Sequence, residues 1–177
     1  MAGILRIEVV AGADMDPALR AQTHSLCSRA YEEDMTELLG QLVDPTHVLG
    51  FVATGLASHA LWVTRWLEVG ATLRLRTAYV EAVATDPCHQ GQGFASAIMT
   101  RLASAIAGYD LGALSPADTG LYARLGWTYW RGPLFIRAEG GLIPTPGERV
   151  MVLPLPGTPT LDLHASLSAE WRAGELW

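Results

Sequence analysis

The stretch from Thr72 to Ile106 constrains this chain more than any other. Thr72 to Thr85 is a long β-rich run with apolar residues at alternating positions Ala78, Val80, Ala82 and Ala84, and it stops at Asp86-Pro87, where proline cannot continue a central strand. Gly91-Gln92-Gly93 follows, and then Phe94, Ile98, Leu102, Ala105 and Ile106 recur at helical spacing until Gly108. The unit reads as strand, glycine turn, helix. Glycines just before a helix let the backbone approach an anion closely, and the free N–H groups of the first helical turn, at the positive end of the dipole, then bind it. A pyrophosphate site is physically reasonable there, although Gly-x-Gly before a helix is also ordinary turn chemistry. A dinucleotide fold fits less well, because position 96 is Ser where the third glycine of that fingerprint falls, and the preceding strands do not alternate with helices.

Around this unit the pattern is mixed. Ile4 to Val10 alternates and reads as a strand; Asp16-Pro17 places an N-cap and a proline at the start of a helix to about Ala30; a short helix covers Met35 to Leu42. Val48–Thr54 and Ala57–Leu67 read as antiparallel strands joined by a tight turn at Gly55-Leu56. After the central helix come a short apolar strand, Leu111–Leu114, a short helix from Thr119 to Leu125 closed by Gly126, and a strand at Trp127–Trp130. A Gly/Pro-rich loop follows, then a last strand at Arg149–Leu155 and a tail from Asp162 to Trp177 with some helical character. The expected fold is a single α/β (α+β) domain over residues 1–177, with a mixed, largely antiparallel sheet and one βαβ unit near its middle.

Composition narrows the function. Twelve basic residues, every one Arg, face eighteen acidic ones, for a net charge of −6. No cationic cluster is visible, which argues against nucleic acid and favours cationic partners. Mean hydropathy is +0.21, yet no apolar run reaches bilayer-spanning length and the N-terminus lacks a signal pattern, so a cytoplasmic protein is expected. Cys27 and Cys88 match neither a disulfide framework nor a metal spacing, and His24, His47, His59, His89 and His164 show no metal spacing either. Free thiols, packed or solvated histidines and no metal are expected. Trp62, Trp66, Trp127 and Trp130 read as core or interface residues.

Gln90-Gly91-Gln92-Gly93-Phe94-Ala95 after a long strand resembles the acetyl-coenzyme A loop of the GNAT N-acetyltransferase superfamily, Arg/Gln-x-x-Gly-x-Gly/Ala. About thirty residues on, Leu121-Tyr122-Ala123-Arg124-Leu125-Gly126-Trp127 is similar to that superfamily's LYxxxGF segment near the reacting thioester. Two motifs in the right order are far more specific than either alone. Tyr79 to Ala84, Gly112 to Ser115, Leu121 to Trp127 and the terminal Trp171 to Trp177 together resemble the aminoglycoside 2'-N-acetyltransferases; before Tyr79 the likeness is confined mainly to Glu33-Asp34-Met35-Thr36-Glu37.

The resemblance implies a GNAT fold, acetyl-CoA as cofactor, a cationic antibiotic as substrate and a homodimer. An amine attacks a thioester only when neutral, so such a site needs a base, donors for the developing oxyanion and an acid for the departing thiolate. The resemblance puts Glu81 against the amine as base through a water, although the same carboxylate could simply hold a cationic substrate and the Trp177 carboxylate is a second candidate base. It assigns the N–H groups of Val83 and Ala84 to the thioester carbonyl or pantetheine, if the strand splays there, and Gln90, Gly91, Gln92, Gly93, Phe94 and Ala95 to the pyrophosphate. Tyr122 would protonate the thiolate, or else pack its ring and only hydrogen-bond. Ser115 would hydrogen-bond substrate or water, or serve a turn. Trp177 would close over the antibiotic by stacking and charge, the alternative being a frayed chain end; Asp34, Glu37, Glu148 and Glu175 are candidate acidic contacts or, taken singly, solvated surface charges. Neither cysteine lies on the catalytic strand with a paired His and Asn, although Cys88 is close to the cofactor loop, and direct transfer is favoured over a covalent enzyme intermediate. After Asp34 and Glu37 the second helix continues Leu38-Leu39, and fewer acids suit an antibiotic with fewer amines, such as kasugamycin. Two alternatives stay open: a GNAT enzyme acting on another small-molecule or peptide amine, and a coenzyme A-binding module.

Overall fold

The computed structural model describes residues 4–116 and 120–177. In chain order the elements are β1 (Arg6–Ala11), α1 (Pro17–Tyr31), α2 (Thr36–Gln41), β2 (Thr46–Val52), β3 (Gly55–Val69), β4 (Leu73–Thr85), α3 (Phe94–Ala105), β5 (Leu111–Leu114), α4 (Gly120–Arg124), β6 (Thr128–Tyr129), β7 (Leu134–Ala138), β8 (Gly141–Pro144), β9 (Met151–Pro154) and β10 (Leu167–Glu170). The strands run in the order β6-β9-β5-β4-β3-β10-β7-β8, with β2 on β3 and β1 on β2. Pairing is antiparallel at β1–β2, β2–β3, β3–β10, β5–β9, β6–β9 and β7–β8, and parallel at β4–β5 and β7–β10. The expected mixed, mostly antiparallel sheet is therefore observed. Contacts divide the chain into two compact units, Met1–Val63 with Val80–Ala105, and Thr64–Tyr79 with Ile106–Trp177.

In the first unit, α1 begins as its sequence dictates. Asp16 Oδ1 accepts from the Leu19 N–H at 2.7 Å, Pro17 sits at the first helical position, and Glu32 ends the helix in a left-handed conformation. α3 turns Phe94, Ile98, Met99 and Leu102 inward and packs on β2 and β1. This unit also buries polar groups. His47 on β2 and His59 on β3 lie diagonally across the ladder that pairs His47 with Leu61 and Leu49 with His59, and their Nδ1 and Nε2 atoms meet at 2.9 Å. Cys27 of α1 lies 3.4 Å from His59 Nδ1, and Arg20 and His24 of the same helix add positive charge nearby.

In the second unit a buried arginine organises the strands and the tail. Arg65 is 2% exposed, donates to the carbonyls of Leu176 and Glu170 at 2.7 Å each, and stacks over the Tyr79 ring, which Arg172 also faces. Arg137 donates to the carbonyl and hydroxyl of Ser168, and the Trp130 indole N–H reaches the Ala165 carbonyl at 2.8 Å.

Several sequence expectations shift. The turn between β2 and β3 lies at Ala53-Thr54, so Gly55-Leu56 already opens β3. The Gly/Pro-rich stretch before β9 holds the hairpin β7–β8, and the tail forms strand β10 rather than a helix, because Leu167, Ser168 and Ala169 are consecutively buried between β3 and β7. Thr119, the expected start of the short helix, lies outside the described residues, as do the first three residues. Trp62, Trp127 and Trp130 are core, whereas Trp66 is 40% exposed with Arg74 over its ring. Cys27 and Cys88 are both free, and among the described residues no cluster could hold a metal ion. Among the described residues no helix is long and apolar enough to cross a membrane.

Two predictions follow from packing and burial. A Cβ at Gly132 would overlap the backbone carbonyl of Ala165, with the His164 carbonyl oxygen at 2.6 Å, and backbone cannot yield as a side-chain tip can. Gly132→Ala should cost about 3 kcal/mol or more, read as a lower thermal midpoint. Gly108→Ala, which meets nothing within 4 Å, should leave the midpoint nearly unchanged.

Burial pushes His47 down to about 4, helped by Arg20 and His24, and His59 down to about 3, helped by His47. Between the ordinary value of 6.5 and these values the unfolded chain binds protons that the folded one excludes. Stability should therefore be intact above the ordinary value and fall on acidification, by up to about 2 kcal/mol per histidine at pH 5. Urea unfolding at pH 7 and pH 5 checks this, and His47→Leu should flatten part of the slope. The Arg29 guanidinium holds Asp86 below its ordinary 3.8, so its contribution is lost in a separate, more acid window.

Candidate active site

The first unit gathers the strand, the glycine turn and one acidic corner. Within β4, Ala82 has φ +49°, a left-handed conformation that an L-residue inside a strand adopts at a cost of about 1–3 kcal/mol. Such a residue re-aims the chain locally, as a β-bulge does. This residue directly precedes Val83 and Ala84 in the chain. The β4–β5 ladder runs from Thr77↔Leu111 to Tyr79↔Ala113, while β4 itself continues to Thr85.

The carbonyls after the kink are all engaged. Ala82 O lies 2.8 Å from His59 Nδ1, Val83 O accepts from the Tyr31 hydroxyl at 3.2 Å, and Ala84 O accepts from the Ser58 hydroxyl at 3.0 Å. Ser58 Oγ also lies 2.9 Å from Thr85 Oγ1. Glu81, Val83 and Thr85 are partly exposed, whereas Ala82 and Ala84 are buried.

Tyr31 closes α1, so its bond to Val83 holds the corner carrying Asp34 and Glu37 against this part of β4. Asp34 is exposed, and bonds from Thr36 hold its carboxyl below the ordinary value. Glu37 is also exposed and accepts from the Gln41 amide at 3.2 Å. Arg29 donates to Asp86 at 2.6 and 3.1 Å, fixing the end of α1 to the turn that leaves β4.

That turn has the geometry a phosphate group could use. Asp86 accepts from the Cys88 N–H at 3.0 Å across a single 3₁₀ turn, and Gln90 reaches back to the Thr85 carbonyl at 3.4 Å. Gly91 and Gly93 have φ of +75° and +81°, and a Cβ on either would meet nothing within 4 Å. Their requirement for glycine is thus conformational, and the space beside them is open. Gly93 O accepts the Ala97 N–H at 3.1 Å, so the N–H groups at the head of α3 precede the helical bonding pattern and can bind phosphate oxygens. Gln90, Gly91, Gln92, Gly93, Phe94 and Ala95 all belong to this segment; Phe94 turns inward and anchors it, with the His89 ring 6.0 Å away. The residues present fit the pyrophosphate of acetyl-CoA.

The second unit carries the other candidates. Ser115 is exposed at the end of β5. Tyr122 on α4 is partly buried, its ring edge-on to Trp127 at 6.3 Å, and its carbonyl accepts from Trp127 and Leu125. Trp177 is 5% exposed; its indole N–H donates to Thr145 Oγ1 at 2.8 Å, in the turn where the N–H of exposed Glu148 reaches Thr145 O. Glu175 is exposed, and its carbonyl accepts from Arg172 at 2.5 Å. The structure thus groups Asp34, Glu37, Glu81, Val83, Ala84 and the glycine segment in one unit, and Ser115, Tyr122, Glu148 and Trp177 in the other. Sequence alone does not point to Tyr31 or Arg65 and marks His59 only as a packed or solvated histidine, although each holds a backbone segment that carries candidate residues. Tyr31 could have been flagged as the last aromatic residue before the acidic run.

Residues 6–130 match the family model of an acetyltransferase (GNAT) domain. An aminoglycoside 2'-N-acetyltransferase from Mycolicibacterium fortuitum is 36% identical over 189 residues, covering 99% of this chain and 94% of the relative. Among solved structures, the GNAT family N-acetyltransferase YhbS from Escherichia coli, in complex with CoA, matches with a TM-score of 0.63 at 17% identity, over 96% of this chain and 91% of that one. Eis1 from Mycobacterium abscessus matches with a TM-score of 0.61 at 23% identity, over 73% of this chain and 32% of that one, so this chain spans about a third of Eis1. The two structures share the fold; the family model and the curated relative carry the kinship. With its kinked strand, glycine turn and helix head in place, the chain belongs to the GNAT family of acetyl-CoA-dependent acetyltransferases and is homologous to an aminoglycoside 2'-N-acetyltransferase.

Proposed function

We propose that this enzyme transfers the acetyl group of acetyl-CoA to the 2'-amine of an aminocyclitol antibiotic, with antibiotic resistance as the consequence. The observation that carries the reading is the 36% identity across 99% of the chain to an enzyme named for that position. The reaction needs a neutral amine, and Glu81, partly exposed beside the kink, is suited to take the ammonium proton through a water. Acetyl-CoA supplies the thioester when bound. The N–H groups of Val83 and Ala84 serve its carbonyl or pantetheine, the Gln90–Ala95 segment binds its pyrophosphate, and Tyr122 returns a proton to the thiolate. Asp34, Glu37, Ser115, Glu148 and Trp177 hold the antibiotic. Direct transfer in a ternary complex is favoured further because burial pushes the Cys27 thiol up to about 12, which leaves it without nucleophilic character.

The acidic corner supports the finer choice of substrate. Leu39, following Asp34 and Glu37, is buried and Leu38 is half-buried, so this helix spends those positions on packing rather than on carboxylates. A compact antibiotic with few amines, such as kasugamycin, suits that arrangement better than a polyamine. We read the whole chain as one cytoplasmic catalytic domain that works as a homodimer; exposed Leu142, Ile143 and Trp171 are consistent with a partner surface, and light scattering measures it.

Thiol release with kasugamycin, tobramycin and kanamycin A, the last bearing a hydroxyl in place of the 2'-amine, tests the reading. Turnover of a 2'-amino compound with kanamycin A inert is expected, with kasugamycin preferred; efficient turnover of tobramycin and none of kasugamycin would sink the substrate choice. Glu81→Gln should lower kcat by about a hundredfold or more while CoA affinity is kept. Unchanged turnover would remove Glu81 from the role of base.

A further inference from the structure

The kink at Ala82 is held by a chain of buried side chains whose proton positions are dictated by their neighbours. His59 Nδ1 lies 2.8 Å from the Ala82 carbonyl oxygen. Two lone pairs at that separation repel, so Nδ1 carries the hydrogen and donates to the carbonyl. Burial keeps the ring neutral, which leaves Nε2 as an acceptor. Its neighbour at 2.9 Å, His47 Nδ1, must then be a donor, so His47 is also fixed as its Nδ1–H tautomer. Cys27 Sγ, 3.4 Å from His59 Nδ1, remains a neutral thiol and cannot donate to a nitrogen that already bears a hydrogen. The far end of this relay, His47 Nε2, is a buried acceptor with no hydrogen-bond partner among the described residues. Such an arrangement costs free energy. Leu or Phe would fill a similar volume without that cost.

The consequence lies on the other side of a peptide plane. No peptide bond in the described chain is cis, and in a trans peptide the carbonyl and the following N–H point in opposite directions. A hydrogen bond that draws the Ala82 carbonyl toward His59 therefore turns the Val83 N–H away from His59. The next peptide is held in the same fashion, with its Val83 carbonyl engaged by Tyr31.

We propose that His59 is a positioning residue for acyl transfer, its Nδ1–H holding the Ala82–Val83 peptide so that the Val83 N–H is presented to the acetyl carbonyl, with His47 fixing the tautomer that makes this possible. The inference rests on the reading of Val83 as a donor to the thioester carbonyl. Removing the bond frees a left-handed, strained alanine to relax and so rotates the donor away.

The test separates the inference from the reading beneath it. The Val83 amide resonance is followed by NMR in wild type, His59→Leu and His59→Asn, each titrated with acetyl-CoA and with CoA in the absence of any amine. Asn places a donor N–H near the position of Nδ1, whereas Leu has none. A shift caused by acetyl-CoA but not by CoA is expected in wild type, lost in His59→Leu and restored in His59→Asn. In parallel, kcat should fall about tenfold or more in His59→Leu, with CoA affinity kept within about threefold and kcat recovered by His59→Asn. A wild-type shift that persists in His59→Leu overturns the positioning role and leaves Val83 as a donor. No distinction between acetyl-CoA and CoA in wild type overturns the Val83 reading and this inference with it. If His59→Leu does not fold, ring-nitrogen spectra of the wild-type protein decide: both histidines as Nδ1–H tautomers at pH 7 support the relay, and an Nε2–H tautomer at His59 overturns it.

Discussion

The first unit is organised around the strained residue in β4. A left-handed alanine in a strand relaxes unless its surroundings over-determine it, and here three consecutive carbonyls, those of Ala82, Val83 and Ala84, are each engaged by a side chain from another element. His59 and Ser58 come from β3, and Tyr31 comes from the end of α1. Asp86 extends the same grip: its N–H reaches Ala57 O at 2.9 Å and its carboxylate takes the Arg29 guanidinium. Each bond is worth about 1 kcal/mol net, so the set exceeds the conformational penalty at Ala82. The kink is a property of the packed unit, and α1, β3 and β4 depend on one another through it.

The second unit uses a different device for a similar end. A guanidinium offers five donors in a rigid plane, and Arg65 spreads them over two tail carbonyls while its face lies on Tyr79. The last residues are therefore tied to the sheet through main-chain atoms. Their side chains are left to vary in what they contact, and Trp177 uses its own on Thr145.

The parts of the fold that could be read from sequence are those whose geometry is specified locally. Asp16-Pro17 capped α1 because a carboxylate and a fixed φ act within one turn. Gly91 and Gly93 announced their turn because only glycine adopts those angles without strain. Ala82 gave no such signal, since alanine is at home in an ordinary strand and the force that bends it comes from residues distant in sequence. His47 and His59 became neighbours only through the β2–β3 register, which no local pattern specifies. The hairpin β7–β8 was hidden behind Pro133, Gly140, Gly141, Pro144 and Pro146, loop-forming in composition yet placed mostly at strand ends. The sequence of β10 does not announce a strand, because four residues, the first three buried in succession, are too few to establish a period. For the site, the two motifs pointed to the Gln90–Ala95 segment and to Tyr122 as candidates. The residues holding the β4 peptides needed the tertiary structure.

The β7–β8 hairpin places β8 at the end of the strand order, with Leu142 and Ile143 exposed. Left bare, such an edge is a template on which further strands can grow into aggregates. β8 resists this through its backbone: it is four residues long, ends at Pro144, which has no N–H to offer, and begins at Gly141 with φ +112°. Its side chains can be buried by another surface, but its main chain has little with which to extend the sheet. The edge thus tolerates specific side-chain contact while discouraging polymerisation, a useful separation for an acidic protein without a single lysine to guard its strands.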